Sequence, residues 1–347
     1  MIARILPGTS PRAAARHILR AGAILALAAM LATAPAAAQS AKPDPATLFS
    51  AVVGIDADIP ADARTAARLG THREGSGVVV SADGLVLTIG YLILEAASVT
   101  IVTQDGGRIP ANIVAYDHDS GFGLVRASQP LDLPAIAFGD SDTLAVSHQA
   151  LIATRLGKAD ARGVYVVARR EFAGPWEYLL DAAIYTSPPH ANFSGAALFG
   201  VDGRLHGIGS LLVGDAAEFE RPLPGNMFVP VNVLKPVFDR LVADGRRPGP
   251  ARPWLGLSPT AAHGRVFVDS VSEGGPAARA GLAPDDLIVA VGATPVASLA
   301  EFFRAVWASG GAGDTVTLQV LTRAGALRPV PVISVDRIDW LRLDPTL

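Results

Sequence analysis

Between about residue 49 and residue 233 the chain never sustains a long apolar pattern. It is a succession of short runs cut apart by Gly, Asp and Pro, and this limits the fold more than any other feature. The runs are Ser76–Val80, Leu85–Thr88, Ser98–Val102, Ile113–Ala115, Gly123–Arg126, Ala150–Ala153, Gly163–Ala168, Leu179–Ile184 and Arg204–Ile208. Each is too short for a helix that buries a face, and each has the length and turn-bounded setting of a strand. The 35 Gly and 26 Pro supply the turns. Many short strands at this spacing predict a mainly β chain of barrels or sandwiches, grouped at about 49–128 and 142–233. Val233–Val242 has apolar positions at helical spacing and predicts a closing helix.

The ends and the charge narrow the setting. Residues 1–38 carry Arg4, Arg12, Arg16 and Arg20, then an apolar stretch from Ala21 to Met30, then Ala36-Ala37-Ala38 before Gln39. That order is the pattern of an export signal. Without it, 25 Lys and Arg face 32 Asp and Glu, a net charge of about −7. An exported chain follows, most readily periplasmic, with no stable membrane span after signal removal. Retention of the segment as an anchor is the alternative. An acidic surface is unsuited to nucleic acid, whose phosphates need a basic face. Cysteine is absent, which excludes a thiol nucleophile and thiolate metal sites. No cofactor or metal is expected.

The segment His190-Ala-Asn-Phe-Ser-Gly-Ala-Ala-Leu198 sets Ser194 in a tight small-residue turn just before the apolar strand Ala197-Leu198-Phe199. Gly75-Ser-Gly-Val-Val-Val80, Gly84-Leu-Val-Leu-Thr88 and Asp140-Ser-Asp142 precede it. In order and spacing these segments resemble the HtrA/DegP family of bacterial envelope proteases. The resemblance implies a trypsin-like double β-barrel over 49–243, with Ser194 at the nucleophile position. It also implies that Tyr91 stands at the family's His position and Gly121 at its Asp position. The family's Gly-Asn-Ser-Gly-Gly turn reads Asn192-Phe-Ser-Gly-Ala196, so Asn192 and Ser194 hold the oxyanion-hole positions. Asn tolerates a left-handed backbone better than most residues.

A serine nucleophile needs a base within hydrogen-bond reach and a group that orients the base. A phenol with a pKa of about 10 is a poor proton acceptor at neutral pH, and Gly has no side chain. Loss of both partners is self-consistent, because a buried carboxylate without an imidazolium partner is costly. His190 is expected beside the pocket loop or in solvent. The Asp117-His118-Asp119 run reads as a solvated turn, since adjacent side chains diverge, and His206 reads as a surface or satisfied side chain.

Asp244–Pro253 is expected to be a semi-rigid linker, with four Pro or Gly among its last six residues. Residues 254–335 then resemble a PDZ domain, an α+β module, with a tail over 336–347. Four segments carry the resemblance: Trp254-Leu-Gly-Leu257, Gly274–Leu282, Ala283–Val291 and Val296–Val306, the last with Ser298 as N-cap. The resemblance implies that Leu255, Gly256 and Leu257 form the turn that holds a peptide carboxylate. Leu257, Phe302, Ala305 and Val306 would form the side-chain pocket. Partners are then peptide C-termini or unfolded proteins, with a homotrimer implied by the family. Three functions fit: an exported pseudoprotease that binds peptides, a serine endopeptidase with a non-standard base, or a regulatory subunit of an active homologue.

Overall fold

The computed structural model describes residues 44–343 apart from Glu177 and Phe219. The export segment and the end of the tail lie outside these residues. Helix α1 (Pro45–Ser50) opens the described chain. Proline fits its first turn, where the missing N–H costs nothing, and the Asp44 side chain accepts the Ala46 amide proton.

The first barrel comprises β1 (Val52–Asp58), β2 (His72–Val79), β3 (Leu85–Ile89), β4 (Ser98–Val102), β5 (Arg108–Tyr116) and β6 (Phe122–Ala127). It closes in the order β1-β2-β3-β6-β5-β4. Helix α2 (Ala66–Leu69) lies in the β1–β2 connection. The second barrel comprises β7 (Gln149–Ala153), β8 (Arg162–Gly174), β9 (Tyr178–Ser187), β10 (Ala197–Gly200), β11 (Leu205–Val213) and β12 (Gly225–Pro230). It closes as β10-β11-β12-β9-β8-β7. Closure removes the exposed edges that short strands would otherwise present. Every apolar run read from the sequence falls on one of these strands. One continuous apolar cluster, including Ile55, Val86, Leu124, Tyr185, Phe199 and Leu241, passes between the barrels.

The expected closing helix is broken at its start. Val231–Val233 and Lys235–Val237 are separate 3-10 turns, and helix α3 (Phe238–Asp244) begins only after them. Pro236 has no N–H to continue a regular helix, which accounts for the break.

A third, open sheet holds β13 (Leu257–Ala262), β14 (Arg265–Val271), β15 (Leu287–Val291), β16 (Thr294–Pro295), β17 (Thr315–Leu321) and β18 (Leu327–Ile333). Helix α4 (Pro276–Arg279) and helix α5 (Leu299–Ala308) pack on it. The Ser298 hydroxyl accepts the Glu301 amide, and Glu301 accepts the Ala297 amide, which fixes the start of α5. Strand β13 lies at the sheet edge and pairs only with β14 among the described residues. The chain is thus mainly β: a trypsin-like pair of barrels followed by a PDZ domain.

The connection from 244 to 253 is fastened to the first barrel and is not a free spacer. Arg247 binds Asp117 through Nε (2.6 Å) and Nη2 (2.8 Å), and Arg252 lies 3.2 Å from Asp119. The Asp117-His118-Asp119 turn is therefore packed and not solvated. Its acidic side chains have guanidinium partners far along the chain, and the His118 ring lies edge-on to Tyr116. Past β18 the chain turns back. Helix α6 (Arg337–Trp340) and residues 341–342 run along the first barrel.

Candidate functional site at the barrel interface

Tyr91 sits in a 3-10 turn, Gly90–Leu92, that follows β3 directly. The buried Arg73 guanidinium holds this turn, donating to the carbonyls of Tyr91 and Leu94 at 2.8 Å each. From the other side, the Gly90 amide donates to the Gly121 carbonyl at 2.7 Å. Ser194 lies in the turn between β9 and β10, and its carbonyl accepts the Ser76 amide of the first barrel at 2.8 Å. Gly195 is required there: its φ is +71°, and a Cβ would come within 1.9 Å of the Ser76 carbonyl oxygen. The three positions read from the sequence are therefore brought together where the two barrels meet.

Tyr91 Oη is 2.9 Å from Ser194 Oγ and 3.0 Å from the Ser210 carbonyl oxygen, and its hydroxyl donates to one or the other. In neither arrangement does the phenol take a proton from Ser194. Burial pushes the Tyr91 phenol above its ordinary value, and the hydrogen bond with Ser194 opposes this only in part. A phenolate base is therefore absent at any neutral pH.

The position opposite is filled. Gly121 has φ +77°, and a Cβ there would approach the Tyr178 ring to 2.7 Å. Tyr178 is 2% exposed and stands against Phe172 and Trp176. An aromatic ring from the second barrel thus occupies the space beside Tyr91 that a carboxylate would need.

The oxyanion-hole position is also altered. Asn192 does not take a positive φ, and its amide donates to His190 Nδ1 at 3.1 Å. An accepting Nδ1 places the imidazole proton on Nε2, which meets the Asp160 carbonyl at 2.6 Å. The Asn226 side chain further pins the His190 backbone through its amide and its carbonyl. His190 is thus a buried clamp on the turn, engaged through both ring nitrogens, and does not face solvent. His206 is likewise buried, at 2% exposure, with Nε2 3.0 Å from Asp202. Neither ring is hydrogen-bonded to Ser194 among the described residues.

A cleft of about 470 Å³ opens from Ser194 and Tyr91 toward the third sheet. Ile89, Tyr178, Phe193 and Leu211 line its barrel side, and Trp254, Leu257 and Ser258 line its far side. Gly256 has φ +70°, as its turn requires, and its carbonyl accepts the Ser272 amide at 2.8 Å. Leu255, Leu257, Phe302 and Val306 share one apolar cluster. Phe302 and Val306 are only 1% and 2% exposed, however, and belong to the core beneath the sheet, not to an open pocket. The free edge of β13, with Leu257 and Ser258, is the part that faces the cleft.

Two features of this cleft gave no sequence signal. Trp340 and Leu341 of the returning tail form part of its wall. Trp340 lies 5.4 Å from Trp254, under the guanidinium of Arg64 at 3.6 Å. Away from the cleft, Asp56, His72 and Glu74 group their ligating atoms on the β1–β2 surface. Arg108 and Arg155 already pair with the two carboxylates, which makes a poor cation site.

The likeness to known proteins agrees with this architecture. A trypsin-like peptidase domain profile matches residues 75–208, and a PDZ domain profile matches residues 253–332. A probable periplasmic serine endoprotease, DegP-like, of Chlamydia muridarum is 27% identical over 283 residues, covering 74% of this chain and 53% of its own. A probable periplasmic serine protease, do/HhoA-like, of Haemophilus influenzae is 30% identical over 264 residues, covering 71% and 55%. The serine endoprotease DegS of Salmonella typhimurium is 26% identical over 279 residues, covering 76% and 74%. The chain spans about half the length of the first two of these relatives. Among solved structures, the HtrA-type protease AlgW with decapeptide covers 87% of the chain at 20% identity and a TM-score of 0.52, a likeness of fold. With its two barrels, Ser194 turn and PDZ domain in this order, the chain belongs to the HtrA/DegP family.

Proposed function

We propose that this chain is an exported, non-catalytic member of its family that binds extended peptide segments at the β13 edge and in the adjoining cleft. The observation that carries this reading is the Tyr91–Ser194 pair. The serine has a hydrogen-bond partner that cannot act as its base, and Tyr178 stands where an orienting acid would have to be. The commitment of the Asn192 amide to His190 supports it further. The unpaired edge of β13 offers main-chain groups to a peptide strand, a mode that needs no catalytic residue. Periplasmic location is supported by the Arg-rich leader and by the periplasmic relatives, and a role in envelope protein quality control is carried over from the family. Trimeric assembly is carried over from the family.

The test is cleavage of casein, with a fluorophosphonate probe for Ser194. No turnover above background is expected, and labelling should stay flat between about pH 6 and pH 10 because the Tyr91 phenol remains neutral there. Turnover that is lost in Ser194→Ala would establish an active endopeptidase instead.

A further inference from the structure

The cleft between Ser194 and the β13 edge has an unusual charge pattern for so acidic a chain. Arg64, Arg68 and Arg337 all line it, and no Asp or Glu does. None of the three guanidiniums has a carboxylate partner among the described residues. Arg64 lies over the Trp340 ring, Arg68 reaches Ser258 Oγ of β13 at 3.4 Å, and Arg337 donates to the Trp176 carbonyl at 2.9 Å. Several arginines elsewhere are taken up by acids, as Arg247 is by Asp117, Arg304 by Glu171 and Asp181, and Arg342 by Asp62, while others, such as Arg162 and Arg328, donate to carbonyls outside any such cleft. The cleft therefore concentrates unneutralised positive charge over an apolar floor of Ile89, Phe193 and Leu211.

We infer that the occupant of this cleft is a peptide segment in which apolar residues alternate with acidic side chains. A strand added to β13 would send alternate side chains to opposite sides. One set would face the apolar floor and the other the arginine rim. The Arg68 guanidinium, already at Ser258 of the edge strand, is placed to meet the first carboxylate. Field lines from three cations in a low-dielectric cleft raise the local concentration of acidic ligands and reject basic ones. This inference rests on the peptide-binding reading above and adds the charge of the ligand to it.

The experiment uses the full chain and three fluorescein-labelled decapeptides with the same Leu and Phe positions. The intervening residues are all Glu, all Gln or all Lys. Anisotropy titrations at low and high salt give the affinities. The Glu peptide is expected to bind at least about tenfold tighter than the Lys peptide at low salt, with the gap narrowing as salt screens it. The double variant Arg64→Glu, Arg68→Glu should invert the order. Each exposed reversal is worth about three- to tenfold. Both residues are exposed, so the fold is expected to survive, and the wild-type ranking stands without the variant. Equal binding of all three peptides would overturn the charge preference while leaving peptide binding intact. A Glu preference unchanged in the double variant would place it elsewhere and overturn this assignment. No binding of any peptide would overturn the parent reading as well.

Discussion

At the scale of single residues, Tyr178 explains why the departure at Tyr91 and Gly121 is more than the exchange of two side chains. Its ring stands against the Cα of Gly121, and that glycine holds a left-handed backbone. Tyr91→His alone places an imidazole where a phenol already fits. Adding Gly121→Asp forces a carboxylate into the Tyr178 ring at a φ that disfavours it, and overpacking of this kind costs about 1–3 kcal/mol. The double variant is therefore expected to unfold at lower denaturant than Tyr91→His, without gaining casein cleavage. Equal midpoints for the two variants would show that the ring yields freely.

At the scale of elements, the 244–253 connection behaves as part of the first barrel. Asp117 is buried, and Arg247 is its bidentate partner. Removing one member of such a pair leaves an uncompensated buried charge, so Arg247→Ala should cost about 3 kcal/mol. Arg246→Ala, at an exposed position next to it, should stay within about 0.5 kcal/mol. Urea midpoints for the two variants decide this, and similar losses would mean the pair does not anchor the connection. Trypsin should cut wild type first at Arg246. The strands themselves were legible in the sequence because alternation and turn residues are local signals. So was the Ser194 turn, since small residues before an apolar strand leave few other readings. Pro236 showed its effect only in the structure, where two 3-10 turns replace the first half of the expected helix. The Arg247–Asp117 pair was illegible because it joins residues far apart in the chain, and neither carries a local pattern. The same holds for Tyr178, whose place beside Gly121 depends on the packing of the β8–β9 hairpin against the first barrel.

At the scale of the whole described chain, the returning tail is the device that joins the PDZ domain to the barrels. The Arg342 amide donates to the buried Glu95 at 2.7 Å, and its guanidinium meets Asp62 at 2.6 Å. Glu95 also accepts the Arg64 and Thr65 amides, so one carboxylate ties the tail and the β1–β2 connection together. On the opposite side, Arg304 of α5 meets Glu171 and Asp181 of the β8–β9 hairpin. Exposed ion pairs like the latter contribute little, whereas the tail combines a buried acceptor with a pair of adjacent, tilted indoles, Trp340 beside Trp254. The tail is therefore expected to dominate the coupling. Wild type should unfold in one thermal transition monitored by calorimetry. Trp340→Ala combined with Arg342→Ala removes the indole contact and the Asp62 contact, and should resolve two transitions, the PDZ domain melting apart from the barrels. Arg304→Ala should leave the single transition in place. A single transition in the tail variant, or a split in Arg304→Ala, would move the coupling from the tail to α5.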